Sequence, residues 1–89
     1  METEIEISRR YVIMNKRVTC LRYLLVRSGN FYGIKIIFQK GKGKNQSEEN
    51  KMILPKNSKD KIISFINILA ENLSFPIELE GILEDLNCE

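Results

Sequence analysis

The chain has 89 residues, 43% of them hydrophobic, 29% charged and 8% aromatic, with a net charge of +2. That length supports one small domain and a modest core. It contains no histidine, which excludes histidine general bases and every histidine-containing metal site.

The charge is unevenly placed. Residues 1–7 carry three glutamates and no base; residues 8–61 carry all 14 lysines and arginines against three acids; residues 62–89 carry six acids and no base. A basic segment over 1–55 and an acidic one over 57–87 are expected to share a single domain spanning 1–89. Met1-Glu2-Thr3-Glu4 lacks the basic start and apolar stretch of a signal peptide, so a reducing cytoplasm is the expected compartment. There Cys20 and Cys88 read as ordinary thiols, too far apart in sequence for a Cys-x-x-Cys pair. No apolar run reaches the length of a membrane helix.

The first element reads as a strand. Ile5, Ile7, Tyr11 and Ile13 alternate with Glu4, Glu6, Ser8 and Arg10, and Arg9 breaks the apolar face, which suggests a bulge or bend there. Asn15-Lys16 suits a tight turn. Residues 17–27 form a second strand with apolar residues on both faces: Leu21, Tyr23 and Leu25 on one, Val18, Leu24 and Val26 on the other. Ser28-Gly29-Asn30 is a second turn. Residues 31–39 follow as a strand with Tyr32, Ile34, Ile36 and Phe38 on one face and Lys35, Ile37 and Gln39 on the other. Residues 40–50 contain no apolar side chain and are expected to be a mobile loop, before Met52-Ile53-Leu54 closes the sheet at Pro55.

The period then changes. Asn57 or Ser58 can cap a helix whose stripe is Ile62, Phe65, Ile66, Leu69 and Leu73. Pro76 suits the first position of a second helix, with Leu79, Ile82, Leu83 and Leu86 on one side and Glu78, Glu80, Glu84 and Asp85 outside. The fold class is therefore α+β: a three- to four-stranded antiparallel β-meander packed on a C-terminal two-helix hairpin.

Several stretches bear a resemblance. They are Tyr23-Leu24-Leu25, Tyr32-Gly33-Ile34-Lys35-Ile36, Ser58 with Asp60, Leu69-Ala70-Glu71-Asn72, Pro76-Ile77-Glu78-Leu79-Glu80 and Glu84-Asp85-Leu86. In this order, over roughly residues 18–87, the chain resembles a small uncharacterised family (a domain of unknown function) from low-GC anaerobic bacteria. That family's second-helix motif has a small hydroxyl residue before the proline and a histidine two after it; Phe75 and Glu78 stand there. The resemblance implies no activity, cofactor or catalytic residue.

The chemistry-bearing patterns have plain readings. Gly41-Lys42-Gly43-Lys44 lacks the spacing and the following helix of a phosphate-binding loop. The acids of the second helix lie on its polar face, where a carboxylate is solvated. No nucleophile–base set, metal-ligand set or cofactor loop is legible, so the chain reads as non-catalytic. Two short helices cover only one face of a sheet. Either the sheet curls on itself, or Leu24, Val26 and Ile37, flanked by Arg22 and Lys35, form an open face for a partner protein or a second copy. The alternative is nucleic-acid binding by Arg17, Arg22, Lys35, Lys40, Lys42 and Lys44. A small-molecule substrate and a membrane are not indicated.

Overall fold

A computed structural model describes residues 2–40 and 47–86, the side chains of Lys40 and Leu86 excepted. Four strands run in sequence order, each antiparallel to the next: β1 (Glu2–Met14), β2 (Arg17–Ser28), β3 (Phe31–Lys40) and β4 (Ser47–Ile53). Helix α1 (Lys59–Glu71), a 3-10 turn (Pro76–Glu78) and helix α2 (Leu79–Leu86) complete the α+β architecture.

Both short turns use left-handed backbone. Asn15 and Lys16 have φ of 52° and 64°, the paired positive values that match a hairpin's twist. Gly29 has φ 61° in the second turn. β4 is longer than the sequence suggested. Ser47 to Asn50 join it, pairing from Gln39↔Ser47 to Ile36↔Asn50. A strand at the sheet edge tolerates a wholly polar run because one of its sides faces solvent. The rest of the expected loop, with Lys42 and Lys44, lies outside the described residues.

The helices cover one face, here the inner face. Leu21, Tyr23, Leu25, Ile34, Ile36 and Phe38 pack there against Ile62, Phe65, Ile66, Leu69, Leu79 and Leu83. Ser58 caps α1, its hydroxyl accepting from the Lys61 amide at 3.3 Å. Tyr23, fully buried, donates to the Ser74 carbonyl at 3.0 Å, and the Phe38 and Phe75 rings stack at 5.0 Å. Burial pushes the Tyr23 phenol up to about 12.

At Gly33 β3 leaves no room for a side chain against β4. A Cβ there would meet the Met52 carbonyl oxygen and, at 2.8 Å, Ile53 Cδ1.

The end of α1 departs from the expected stripe. Leu73 is not buried; it follows the helix at φ 51° and is 44% exposed. The Leu73 amide donates to the Ala70 carbonyl and the Ser74 amide to the Leu69 carbonyl. This is the double bond pattern that ends a helix through a left-handed residue, a position that favours glycine. The reversal buries Ser74 and turns the leucine outward. Pro76 opens the 3-10 turn rather than α2 itself.

Candidate functional site

β1 carries one extra residue between Glu6 and Ser8, two positions earlier than Arg9. Its register with β2 runs Ile5↔Leu25 and Glu6↔Leu24 before the bulge, then Ser8↔Tyr23 and Arg9↔Arg22 after it. Side chains alternate along a strand, so one inserted residue exchanges the two faces. Ile5 and Ile7 therefore do not share a face with Tyr11 and Ile13, as simple alternation suggested. Ile7 and Val12 pack on the helical core, while Tyr11 and Ile13 move to the outer face.

The outer face has two regions. At the β2–β3 turn end, carboxylates of β1 meet cations of the later strands and one of β1 itself: Glu2 with Lys51 at 2.7 Å, Glu4 with Lys35 at 2.9 Å, and Glu6 with Arg22 of β2 and Arg9 of β1 at 2.5 and 3.0 Å. Glu49 adds a second partner to Lys35 at 3.4 Å. In a flat sheet β1 and β4 would lie about 14 Å apart, three strand spacings. Glu2 and Lys51 are also out of register, opposite Ser28 and, through Lys35, Leu24, so their contact points to a sheet curled with its outer face concave at this end. Arg22 and then Arg9, by donating to Glu6, hold its carboxyl below the usual range; Glu4 beside Lys35 raises the ammonium above its usual value.

This corrects one expectation. Leu24 and Val26 do lie on the outer face, but they are only 4% and 0% exposed. In register, Glu6 and Lys35 flank Leu24, and Glu4 and Gly33 flank Val26. The side chains of the ion-paired residues span this part of β2, and the curled sheet closes over it. Ile37 is half-buried, and Arg22 and Lys35 are half-buried and committed to carboxylates. Leu24 and Val26 thus offer no accessible surface, and Arg22 and Lys35 offer no free cation to a phosphate.

At the other end, the β1–β2 hairpin, the outer face is open. Ile13 and Val18 stand directly opposite each other, 76% and 61% exposed, and Tyr11, 64% exposed, is next along β1 opposite Cys20. Cys20 is a free, half-buried thiol. Lys16 lies exposed in the turn beyond this group and Arg9 sits beside the Tyr11 hydroxyl, while Arg17, exposed and paired with Met14, belongs to the other face. Thr19↔Lys40 brings the end of β3 to the same end of the sheet. Among the described residues, no group of three His, Cys, Asp or Glu is placed to hold a metal ion, and no helix is long and apolar enough to cross a membrane.

Sequence reasoning missed Tyr11, Ile13 and Val18 as surface residues. The signal available was the break at Arg9, because any bulge before Tyr11 reverses the alternation after it. Tyr23 and Tyr32 pack in or on the core, as expected for two of the three tyrosines, and Tyr11 is the exposed one.

A four-stranded antiparallel sheet backed by a two-helix unit, with one apolar end of its outer face left open, defines a small α+β domain. The chain belongs to a family of unknown function (DUF6514), whose model matches residues 1–89. No curated protein and no solved structure matches the chain.

Proposed function

We propose that this protein is a small, non-catalytic cytoplasmic binding module that contacts a protein, a second copy included, through the outer sheet face at the β1–β2 hairpin end. The observation that carries the reading is the exposed cross-strand pair Ile13 and Val18 with Tyr11 beside it. A contiguous apolar group on a sheet face, with cations at its margin, is the composition of a contact surface. The test is a side-by-side affinity isolation from cell extract with the wild-type chain and Ile13→Glu. A protein retained by the first and lost by the second supports the reading; identical retention by both overturns it.

The second reading is nucleic-acid binding, favoured by the convergence of Lys16, Arg17 and the Lys40 end of β3 on one end of the sheet. With Arg22 and Lys35 committed to carboxylates, Arg17, Lys40, Lys42 and Lys44 remain of the six cations first considered. Four phosphate contacts give a log–log salt slope of about −4 on duplex DNA. Titration of duplex DNA at several salt concentrations measures it, and replacing Lys40, Lys42 and Lys44 by Ser abolishes binding under this reading alone.

A further inference from the structure

The bulge divides β1 into halves that are held differently. From the bulge onward, Ile7 and Val12 pack against the helical core. Before it, Glu2 to Glu6 are all exposed, and Ile5, the one apolar residue among them, is 56% exposed. Residues 2–6 are held by their pairing with Leu24 to Ser28 and by ion pairs of Glu2 with Lys51, Glu4 with Lys35 and Glu6 with Arg22. Backbone bonds near solvent with little apolar burial mark the part of a fold that opens first. A bulge interrupts the ladder, so pairing can be lost before it and kept after it. Beneath this segment lie Leu24 and Val26, 4% and 0% exposed although they face away from the helices. Next in register, Ile53 fills the space that a side chain at Gly33 would take.

We infer that residues 2–6 are a detachable strap lying in a strand-acceptor site on β2, and that an extended acidic segment of a partner protein takes the same place. This site is separate from the hairpin end at Tyr11, Ile13 and Val18, and stands or falls without it.

The closed state shows what the acceptor selects. An extended chain puts alternate side chains on one face. Here positions 2, 4 and 6 are carboxylates, and each meets a cation of a different strand: Lys51 of β4, Lys35 of β3 and Arg22 of β2. With the strap lifted, the only ion pair left to these three cations, among the described residues, is Lys35 with Glu49. The β2 edge from Leu24 to Ser28 loses its backbone partners at the same time. An incoming strand restores the ladder, covers Leu24 and Val26, and pairs the three cations again. This is recognition by strand addition to a sheet edge, with side chains at alternate positions setting the choice of partner. A basic segment would add like charges to the three cations and is rejected.

Hydrogen exchange of the full chain, read residue by residue by nuclear magnetic resonance, tests the strap. Wild type is compared at low and high salt, which needs no substitution, and with the double variant Lys35→Met, Lys51→Met. Methionine keeps an apolar stem over Leu24 and removes the charge. Amides of residues 3–6, and those of 24–27 that face β1, are expected to exchange faster than those of 21–23 and 34–38. In the double variant their exchange is expected to rise on the order of tenfold, with 34–38 unchanged. Exchange at 3–6 no faster than in the core at either salt concentration overturns the strap.

A synthetic peptide of residues 2–8 tests the acceptor. It is titrated into the labelled full chain carrying Glu2→Gln, Glu4→Gln and Glu6→Gln, which weakens the strap; circular dichroism checks that this variant is folded, and wild type is titrated beside it. Shifts are expected at 24–28, Lys35 and Lys51, larger in the variant than in wild type, fading with salt, and absent with a peptide whose glutamates are replaced by glutamine. Equal shifts from the acidic and the glutamine peptides, or none at 24–28, overturn the acceptor. Shifts confined to 11–13 and 18–20 also overturn it and assign the peptide to the hairpin end.

Discussion

Lys35 Nζ on β3 lies 2.9 Å from Glu4 Oε2 on β1, although β2 runs between them. The bridge crosses the strand between Leu24 and Val26, whose register partners are Lys35 and Glu4 respectively. Apolar residues that face away from the helices are buried here by charged side chains, whose stems cover the apolar surface while the heads pair above it. Leu24→Ala is therefore expected to destabilise the fold by about 2–4 kcal/mol, as for a buried leucine. Leu24→Glu is expected to cost at least as much, because it buries a carboxylate in the same place. Urea unfolding checks both; an unchanged midpoint would mean that this part of the outer face is open.

Gly33→Ala is expected to cost about 1–3 kcal/mol, the range for forcing extra volume into a packed site. The added methyl meets the Met52 backbone and Ile53, and backbone yields less readily than a side-chain tip. Thermal melting of the variant tests it, and an unaltered melting temperature would show that β3 and β4 are not in this close register.

Two strained positions are expected to gain from glycine. Lys16 and Leu73 hold φ of 64° and 51°, where a side chain costs about 1 kcal/mol or more. Lys16→Gly and Leu73→Gly should each raise stability by roughly that amount, less what glycine's freedom in the unfolded chain returns. A fall in unfolding midpoint for either would contradict the turn geometry.

Stability should fall at both pH extremes, for different groups. Glu6 has its pKa lowered by Arg22 and Arg9, so its contribution is present above the unfolded value of about 4.3 and is lost as pH drops below it. As a surface pair it is small, about 0.2–1 kcal/mol. Tyr23 is raised by burial to about 12. Its unfolded form ionises from pH ~10, so stability declines above that pH by up to about 1.4 kcal/mol per unit until the folded phenol also ionises. Lys35, raised by Glu4, loses its contribution over the same alkaline range. Unfolding midpoints of wild type and Tyr23→Phe across pH 9–12 test this; Tyr23→Phe should flatten the alkaline decline, and an equal slope in both would contradict it.

The architecture was legible in the sequence where one period dominated. Tyr32, Ile34, Ile36 and Phe38 alternate without interruption, and Ile62, Phe65, Ile66 and Leu69 repeat at helical spacing, so β3 and α1 fall where expected. The surface was less legible because β1 has apolar residues in both phases. Tyr11 and Ile13 fit one face and Val12 the other, so only the position of the bulge decides which group is buried. Leu73 fitted the stripe of α1 by spacing alone, but the helix ends at Glu71 and the left-handed turn redirects it. The covering of Leu24 and Val26 depends on contacts between strands not adjacent in the sheet, such as Glu4 with Lys35 and Glu2 with Lys51. Alternation within one strand carries no information about these.

The central claim is that the bulge in β1 presents Tyr11, Ile13 and Val18 as a protein-contact surface. The most direct measurement is the set of backbone amide resonances of the isotopically labelled chain, followed from dilute to concentrated solution at low salt. The account predicts that the shifts produced by self-association or by an added partner protein fall at residues 11–13 and 18–20. Shifts that spare residues 11–13 and 18–20 would contradict it.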